Sequence, residues 1–302
     1  MISIDTRLAR GAPKPGDDFA ARLAGMRPAL HRYAARMVGS VLDGEDVVQE
    51  AIARAIGALD RAPPEGDAAP WLFRITHNAA IDFLRSRERT SAEREVTADD
   101  MVSEADDAAR LVATRAAMSA FMRLRPAQRG AVILKDVLGY SNEEIAVILG
   151  TTLAASKAAL HKGRMQLRLH AGASPEATAQ PSHDELARLQ AYIDRFNERD
   201  FDAIRTMLAD DVQFDLVARQ RGARAAFETY FTRYSSLSGW KLRAGRVDGR
   251  LAAVVTNPSD PGATPVNAIV IDWKAERIVR LRDFYHAPYV LEGATILLLA
   301  DT

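Results

Sequence analysis

The chain has 302 residues, 48% of them hydrophobic and 26% charged, with 40 basic and 40 acidic side chains and no cysteine. That length and apolar content allow two or three folded domains and exclude disorder throughout, and the lack of cysteine excludes disulfides and thiolate metal sites. A net charge of zero excludes a protein that coats nucleic acid by bulk positive charge, and the six scattered histidines give no ligand spacing, so no metal and no cofactor is expected.

Residues 17–89 read as helical, with Val48, Ile52, Ile56 and Leu59 near 3.6-residue spacing. Pro63, Pro64, Gly66 and Pro70 interrupt the pattern. A new helix starts near Trp71, carries Leu72, Ile75 and Ala79 on one face, and runs into an arginine-rich tail at Arg85, Arg87 and Arg89. Residues 91–110 are acidic and poor in large apolar groups, as a linker would be, and a second all-helical unit is expected over 111–170. Within it, residues 141–168 (SNEEIAVILGTTLAASKAALHKGRMQLR) predict two short helices joined by a tight turn. Ser141 caps the first with Glu144 reaching back to it, Gly150 stops it, and Thr151 or Thr152 caps the second. Along the second, Lys157, His161, Arg164 and Arg168 form one basic ridge beside an apolar ridge of Leu153, Leu160 and Leu167. This is the form of a helix-turn-helix.

Residues 171–183 (AGASPEATAQPSH) have a second linker composition. Beyond them two helices, near 185–199 and 222–234, precede alternating segments between Trp240 and His286, which predicts an α+β domain of antiparallel strands over helices. The run 278–286 alternates Val279, Leu281, Asp283 and Tyr285 against Ile278, Arg280, Arg282 and Phe284. The N-terminus lacks the apolar core of a signal peptide and the aliphatic run at 296–300 is too short to span a bilayer, so a cytoplasmic protein without a membrane role is expected.

Three segments, in order and spacing, resemble the extracytoplasmic-function (ECF) sigma factors of bacterial RNA polymerase: residues 43–51 (DGEDVVQEA), residues 71–78 (WLFRITHN) running to 81–85 (IDFLR), and residues 124–129 (LRPAQR) with the helix-turn-helix. The resemblance implies domains at 1–90 (region 2, polymerase binding and minus-ten melting), 111–170 (region 4, minus-thirty-five recognition) and 184–302, with linkers at 91–110 and 171–183. It implies core RNA polymerase and promoter DNA as partners. Asp46, Gln49 and Glu50 would then grip polymerase on an exposed helix face. Arg74, Arg85 and Arg87 suit minus-ten phosphates, and Thr76, His77 and Asn78 suit exposed base edges, whereas Trp71 reads as a packing residue. The preceding loop, 60–70, would capture a flipped base. In region 4 the candidate DNA contacts are Thr152, Ser156, Lys157, His161, Lys162, Arg164 and Arg168. The alanines among them leave few bidentate base contacts, so modest discrimination is expected.

Residues 192–197 (YIDRFN), 208–214 (LADDVQF), 222–227 (GARAAF) and the final strand resemble the SnoaL-like, ketosteroid-isomerase-like cone fold, which also ends some ECF sigma factors. Such a cone encloses a pocket, for which Asp215, Trp240, Asp283, Tyr285 and His286 are the candidate lining and a small molecule the candidate ligand. Isomerases of this fold use a buried carboxylate base, but no nucleophile or cofactor signature accompanies these residues, so a non-enzymatic domain acting in cis on the sigma regions is expected. Two alternatives stay open: a helix-turn-helix regulator acting without polymerase, and a DNA-binding module fused to an isomerase-like enzyme.

Overall fold

In the computed structural model, residues 15–58, 67–92, 118–169, 181–236, 238–260 and 265–299 are described. The two expected linkers fall largely on residues outside these ranges, as does most of the loop expected to capture a base.

The N-terminal unit is built from α1 (Pro15–Val38), α2 (Val41–Gly57) and α3 (Ala69–Ala92). Ser40 caps α2 by accepting the amide of Asp43 at 3.3 Å. Gly44 lets α2 lie against α1, because a Cβ there would sit 2.6 Å from the backbone of Ala35. Next come α4 (Pro126–Val132), which opens on a proline and continues into a π-helical turn at Ile133–Val137, then α5 (Asn142–Leu149) and α6 (Leu153–Leu169). The capping box is present, with Ser141 N–H donating to Glu144 at 2.7 Å and Glu144 N–H to Ser141 Oγ at 3.2 Å. Gly150 ends α5 in the left-handed conformation, and Thr152 Oγ1 accepts the amide of Ala155 at 3.2 Å to begin α6. Leu160 is buried and Leu167 partly so, but Leu153 is exposed, which shortens the expected apolar ridge.

These two helical units share one core. Leu30, Tyr33, Val48 and Phe73 from the first pack with Leu134, Ile145, Ile148 and Leu160 from the second.

The C-terminal unit comprises α7 (His183–Asn197), α8 (Phe201–Met207), β1 (Leu208–Leu216), β2 (Gln220–Gly222), α9 (Ala226–Ser236), β3 (Lys241–Val247), β4 (Arg250–Thr256), β5 (Pro265–Lys274), β6 (Arg277–Asp283), α10 (Pro288–Leu291) and β7 (Ile296–Leu298). The strands form one sheet in the order β2-β1-β6-β5-β4-β3-β7. It is mixed rather than antiparallel throughout, since β1 pairs with β6 in parallel. The second helix begins at Ala226 and not at Gly222, which closes β2. One face of the sheet packs on Tyr192, Phe196, Phe227 and Phe231 of α7 and α9, giving the helix-covered cone expected from the sequence.

The other face of the sheet carries Ala252, Ala268, Val270 and Phe284, and these pack with Ala35, Val41 and Leu42 of the N-terminal unit. The alternation in β6 is broken once. Asp272 faces Arg280 while Trp273 faces Ile278, so Val279 is an extra residue in the ladder. That bulge puts Ile278 in the same core as Leu281, and from Arg280 onward the strand alternates cleanly, with Leu281 and Asp283 toward the helices and Arg280 and Arg282 toward α2.

Candidate functional site

The acidic face of α2 is occupied. Asp46 lies between two arginines of β6, with Arg280 donating to Oδ1 at 3.0 Å and Arg282 to Oδ2 at 3.1 Å. Arg282 is almost wholly buried, and burial holds its guanidinium below the usual arginine range despite the opposing pull of Asp46. Asp43 meets Arg250 of β4 at 3.0 Å. Glu45, buried, is paired with Arg27 and accepts the Tyr289 hydroxyl at 3.0 Å; burial raises its carboxyl while both partners act to lower it. Hydrogen bonds of this charge-assisted kind are each worth about 1.5–3 kcal/mol when well formed.

The start of α2 is held as well. The β3–β4 hairpin turns on Asp248 and Gly249, both at positive φ, as an Asp-Gly pair in a two-residue turn does. Asp248 Oδ2 accepts the amide of Val41 at 2.8 Å, and its Oδ1 accepts that of Thr295 at 2.9 Å. A loop of the C-terminal unit thus satisfies a free amide at the N-terminus of α2. The exposed face expected for Asp46, Gln49 and Glu50 is therefore found only at Glu50, which pairs with Arg54 at 2.9 Å. Gln49 is buried beside Glu45, and Asp46 is clamped.

On α3 the candidate residues separate by face. Arg74, Asn78, Arg85, Arg87 and Arg89 are exposed. Thr76 and His77 are buried, which corrects the expectation that they face a DNA strand in this arrangement. The Thr76 hydroxyl donates to the carbonyl of Leu72 at 2.9 Å, the i−4 bond open to a threonine inside a helix, and His77 Nδ1 lies 2.7 Å from the Tyr33 hydroxyl. The covering element is α4–α5: Tyr140 stacks edge-on to Phe73 with centroids 5.2 Å apart. A Cβ on Gly130 would meet the Tyr33 hydroxyl at 3.0 Å and His77 at 3.5 Å.

Arg129, from the LRPAQR segment, fastens this closure. Its guanidinium donates to the carbonyls of Phe121 at 2.8 Å, Met122 and Leu124 at 2.9 Å, and also to that of Met37 at the end of α1. Trp71 packs edge-on to Phe19 at 6.3 Å, as a core anchor would.

The recognition helix α6 remains open on its basic side. Thr152, Lys157, His161, Lys162 and Arg168 are exposed, whereas Arg164 is taken up by Asp136, whose Oδ2 accepts its Nε at 3.0 Å. Ser156 is buried, with its hydroxyl on the Leu153 carbonyl at 2.9 Å, so it is a packing residue and not a DNA contact here.

In the cone, a cavity of about 130 Å³ is lined by Phe214, Leu216, Tyr230, Tyr234, Asp283 and His286, with Arg219, Arg233 and Tyr285 at its rim. Asp215 and Trp240 lie elsewhere. Asp215 points to the opposite face of the sheet, 3.5 Å from Arg221 and 3.8 Å from Arg280, and Trp240 sits under the guanidinium of Arg199 at 3.7 Å. Asp215 was placed in the pocket by the fold resemblance alone, whereas alternation along β1 turns Phe214 and Leu216 to the cavity and Asp215 away from it. Asp283 is fully buried and receives four donors: Tyr230 and Tyr234 hydroxyls on Oδ2 at 3.0 and 2.7 Å, and Asn267 Nδ2 and Tyr285 N–H on Oδ1 at 2.7 and 2.8 Å. Sequence reasoning missed Asn267, Tyr230, Tyr234, Arg219 and Arg233; the pairing of β5 with β6 brings Asn267 to Asp283, and the packing of α9 and the β1–β2 turn over the sheet brings the others to Asp283 and His286.

Comparison with known proteins gives a family match for each of the two helical units. Residues 24–90 match the sigma-70 region 2 family model and residues 114–167 match the sigma-70 region 4 model. The RNA polymerase sigma factor CarQ of Myxococcus xanthus is 34% identical over 164 residues, covering 54% of this chain and 92% of CarQ. The ECF RNA polymerase sigma factor SigG of Mycobacterium tuberculosis is 27% identical over 322 residues, covering 92% of this chain and 85% of SigG. The crystal structure of the M. tuberculosis ECF sigma factor SigJ aligns over 87% of this chain and 95% of its own at 21% identity, with a TM-score of 0.37. Among the described residues no helix is long and apolar enough to cross a membrane. With regions 2 and 4 matched in order and a CarQ-like relative covered nearly end to end, the chain belongs to the ECF sigma factors of RNA polymerase.

Proposed function

We propose that this sigma factor directs core RNA polymerase to particular promoters and that its C-terminal domain restrains it by covering the polymerase-binding helix. One observation carries the reading: Asp43, Glu45 and Asp46, the acidic face of the helix expected to grip polymerase, are all held by Arg27 or by residues of the SnoaL-like domain. A face cannot serve two partners at once, so core polymerase and the C-terminal domain compete for it. The short linker expected before residue 184 keeps the competitor at high effective concentration. The shared core of regions 2 and 4 supports a second restraint, since Thr76 and His77 reach a DNA strand only after region 4 leaves α3.

Polymerase contact falls to Asp46, Gln49 and Glu50, minus-ten contact to Arg74, Thr76, His77, Asn78, Arg85 and Arg87, and minus-thirty-five phosphate contact chiefly to Lys157, His161, Lys162 and Arg168. The unit boundaries follow as 1–90, 111–170 and 184–302, and a cytoplasmic site of action accompanies the role. The SnoaL-like domain acts as a regulator and not as an enzyme. A carboxylate has about four acceptor positions, and all of those of Asp283 are taken, which leaves no lone pair for a proton-abstracting base.

The test is in-vitro transcription from a genomic promoter library with core polymerase, comparing wild type with an Arg250→Ala/Arg280→Ala variant that loosens the cover and leaves α2 intact. Expected are core-dependent transcripts from a restricted promoter set, the same set for both proteins, and several-fold more from the variant. Folded proteins that give no transcripts and fail to bind core would favour the regulator acting without polymerase.

A further inference from the structure

The rim of the cone cavity holds an electrostatic arrangement that region 2, region 4 and the α2 cover do not use. Arg219 and Arg233 both bring a guanidinium nitrogen to the same atom, His286 Nε2, at 3.2 and 3.4 Å. Among the described residues neither arginine has a carboxylate within ion-pair distance. Burial and the two guanidinium groups hold the imidazole of His286 below its ordinary value against the opposing pull of Asp283, which favours a neutral ring accepting both donors at Nε2. Two cations sharing one neutral acceptor repel each other, and a fork of guanidinium donors without its anion is the geometry that recognises a carboxylate.

Behind the rim the walls are apolar and aromatic: Phe214, Leu216, Ala226, and the rings of Tyr230 and Tyr234. The cavity volume of about 130 Å³ is close to that of engineered cavities that hold one benzene ring. The far end is closed by Asp283, whose oxygens are filled by Tyr, Asn and backbone donors. A ligand must therefore place its apolar body inward and its negative charge at the rim.

We propose that the SnoaL-like domain binds a small single-ring carboxylate, apolar ring inward and carboxylate on Arg219 and Arg233, and that its occupancy alters the hold on α2. The coupling runs through one segment. Residues 280–289 supply Asp283, Tyr285 and His286 to the cavity and, from the opposite side of the same backbone, Arg280 and Arg282 to Asp46 and Tyr289 to Glu45. Arg233 lies over the Tyr285 ring at 5.1 Å, so drawing it to a ligand moves a residue of that segment. The regulatory consequence rests on the α2 cover proposed above, whereas the binding site does not.

Benzoate is the probe, with benzamide as its neutral counterpart of equal size, each titrated calorimetrically into the full chain. Benzoate should bind at least tenfold more tightly than benzamide, and Arg219→Gln/Arg233→Gln should abolish that preference while the far-ultraviolet circular dichroism stays unchanged. Saturating benzoate should also shift the affinity for core polymerase at least threefold in wild type and not in the Gln variant. Equal binding of benzoate and benzamide, or binding of neither, overturns the site. Preferential binding of benzoate without a change in core affinity overturns the coupling. The α2 cover is tested separately by Arg250→Ala/Arg280→Ala without any carboxylate, so its failure would be distinguishable from failure of the site.

Discussion

Arg129 joins regions 2 and 4 through four carbonyls, one of them at the C-terminal end of α1, where a cation also meets the negative end of the helix dipole. Burial lowers its guanidinium to about 10, which still leaves it charged at neutral pH. Arg129→Ala removes every one of these donors and should cost about 3 kcal/mol in urea unfolding, more than Arg→Ala at an exposed position such as Arg85. His31 and His77 supply a pH dependence at the same scale. Burial lowers both imidazoles from 6.5 to about 4, so the folded form holds them neutral while the unfolded chain protonates them. Their contribution is complete above pH 6.5 and is lost as the pH falls toward 4, by up to about 3 kcal/mol for each. Unfolding midpoints measured across that window should fall, and His77→Gln should flatten the fall; an unchanged slope would contradict the burial of His77 against Tyr33. These roles were not legible beforehand. The histidine of WLFRITHN was read as a base contact and Arg129 of LRPAQR was given no role, and only the packing of region 4 on region 2 turns both inward.

Among the elements, the helix-turn-helix was the most legible, because cap, stop glycine and basic ridge are local signals. Ser141, Glu144, Gly150 and Thr152 do what their spacing implied. Ser141→Ala should cost about 1 kcal/mol, measured by thermal unfolding. Lys157, exposed on α6, should act as a phosphate contact: Lys157→Ala should weaken promoter binding of the holoenzyme similarly across sequences and reduce the slope of log affinity against log salt by about 1. A loss confined to one base position would instead mark Lys157 as a base reader. The β6 strand was half legible. Its alternation gave Asp283 an inward position, but the bulge at Val279 and the parallel pairing with β1 depend on distant strands, which no local pattern encodes. The Asp248–Gly249 turn was a readable hairpin signal, yet its task of capping α2, some 200 positions earlier in sequence, belongs to tertiary structure.

At the scale of the whole molecule, three units that the sequence separates by composition are packed into one arrangement. Regions 2 and 4 share a core, and the C-terminal sheet is covered by its own helices on one face and by α1 and α2 on the other. The family and the order of its domains were legible from three motif segments. The closure was not, because the resemblance offered Asp46, Gln49 and Glu50 as polymerase contacts on an exposed face, whereas Arg280 and Arg282, which hold Asp46, and Tyr289, which holds Glu45, lie on a domain whose docking depends on two complementary surfaces meeting. The contacts between α2 and the C-terminal domain combine ion pairs and hydrogen bonds at Asp43, Glu45 and Asp46 with apolar packing of Val41 and Leu42 on the sheet. The ionic part of this interface weakens with salt, whereas its apolar part, like the core shared by regions 2 and 4, weakens little.

In the proposed closed form the C-terminal domain withholds α2 from polymerase. The most direct measurement is the equilibrium affinity of the full-length protein for core RNA polymerase, with and without Arg250→Ala/Arg280→Ala, at constant ionic strength. These substitutions remove two arginine partners of Asp43 and Asp46 without touching α2. The variant should bind core about tenfold more tightly, equivalent to about 1.4 kcal/mol removed from the closed form. An affinity equal to or weaker than that of the wild type would contradict it.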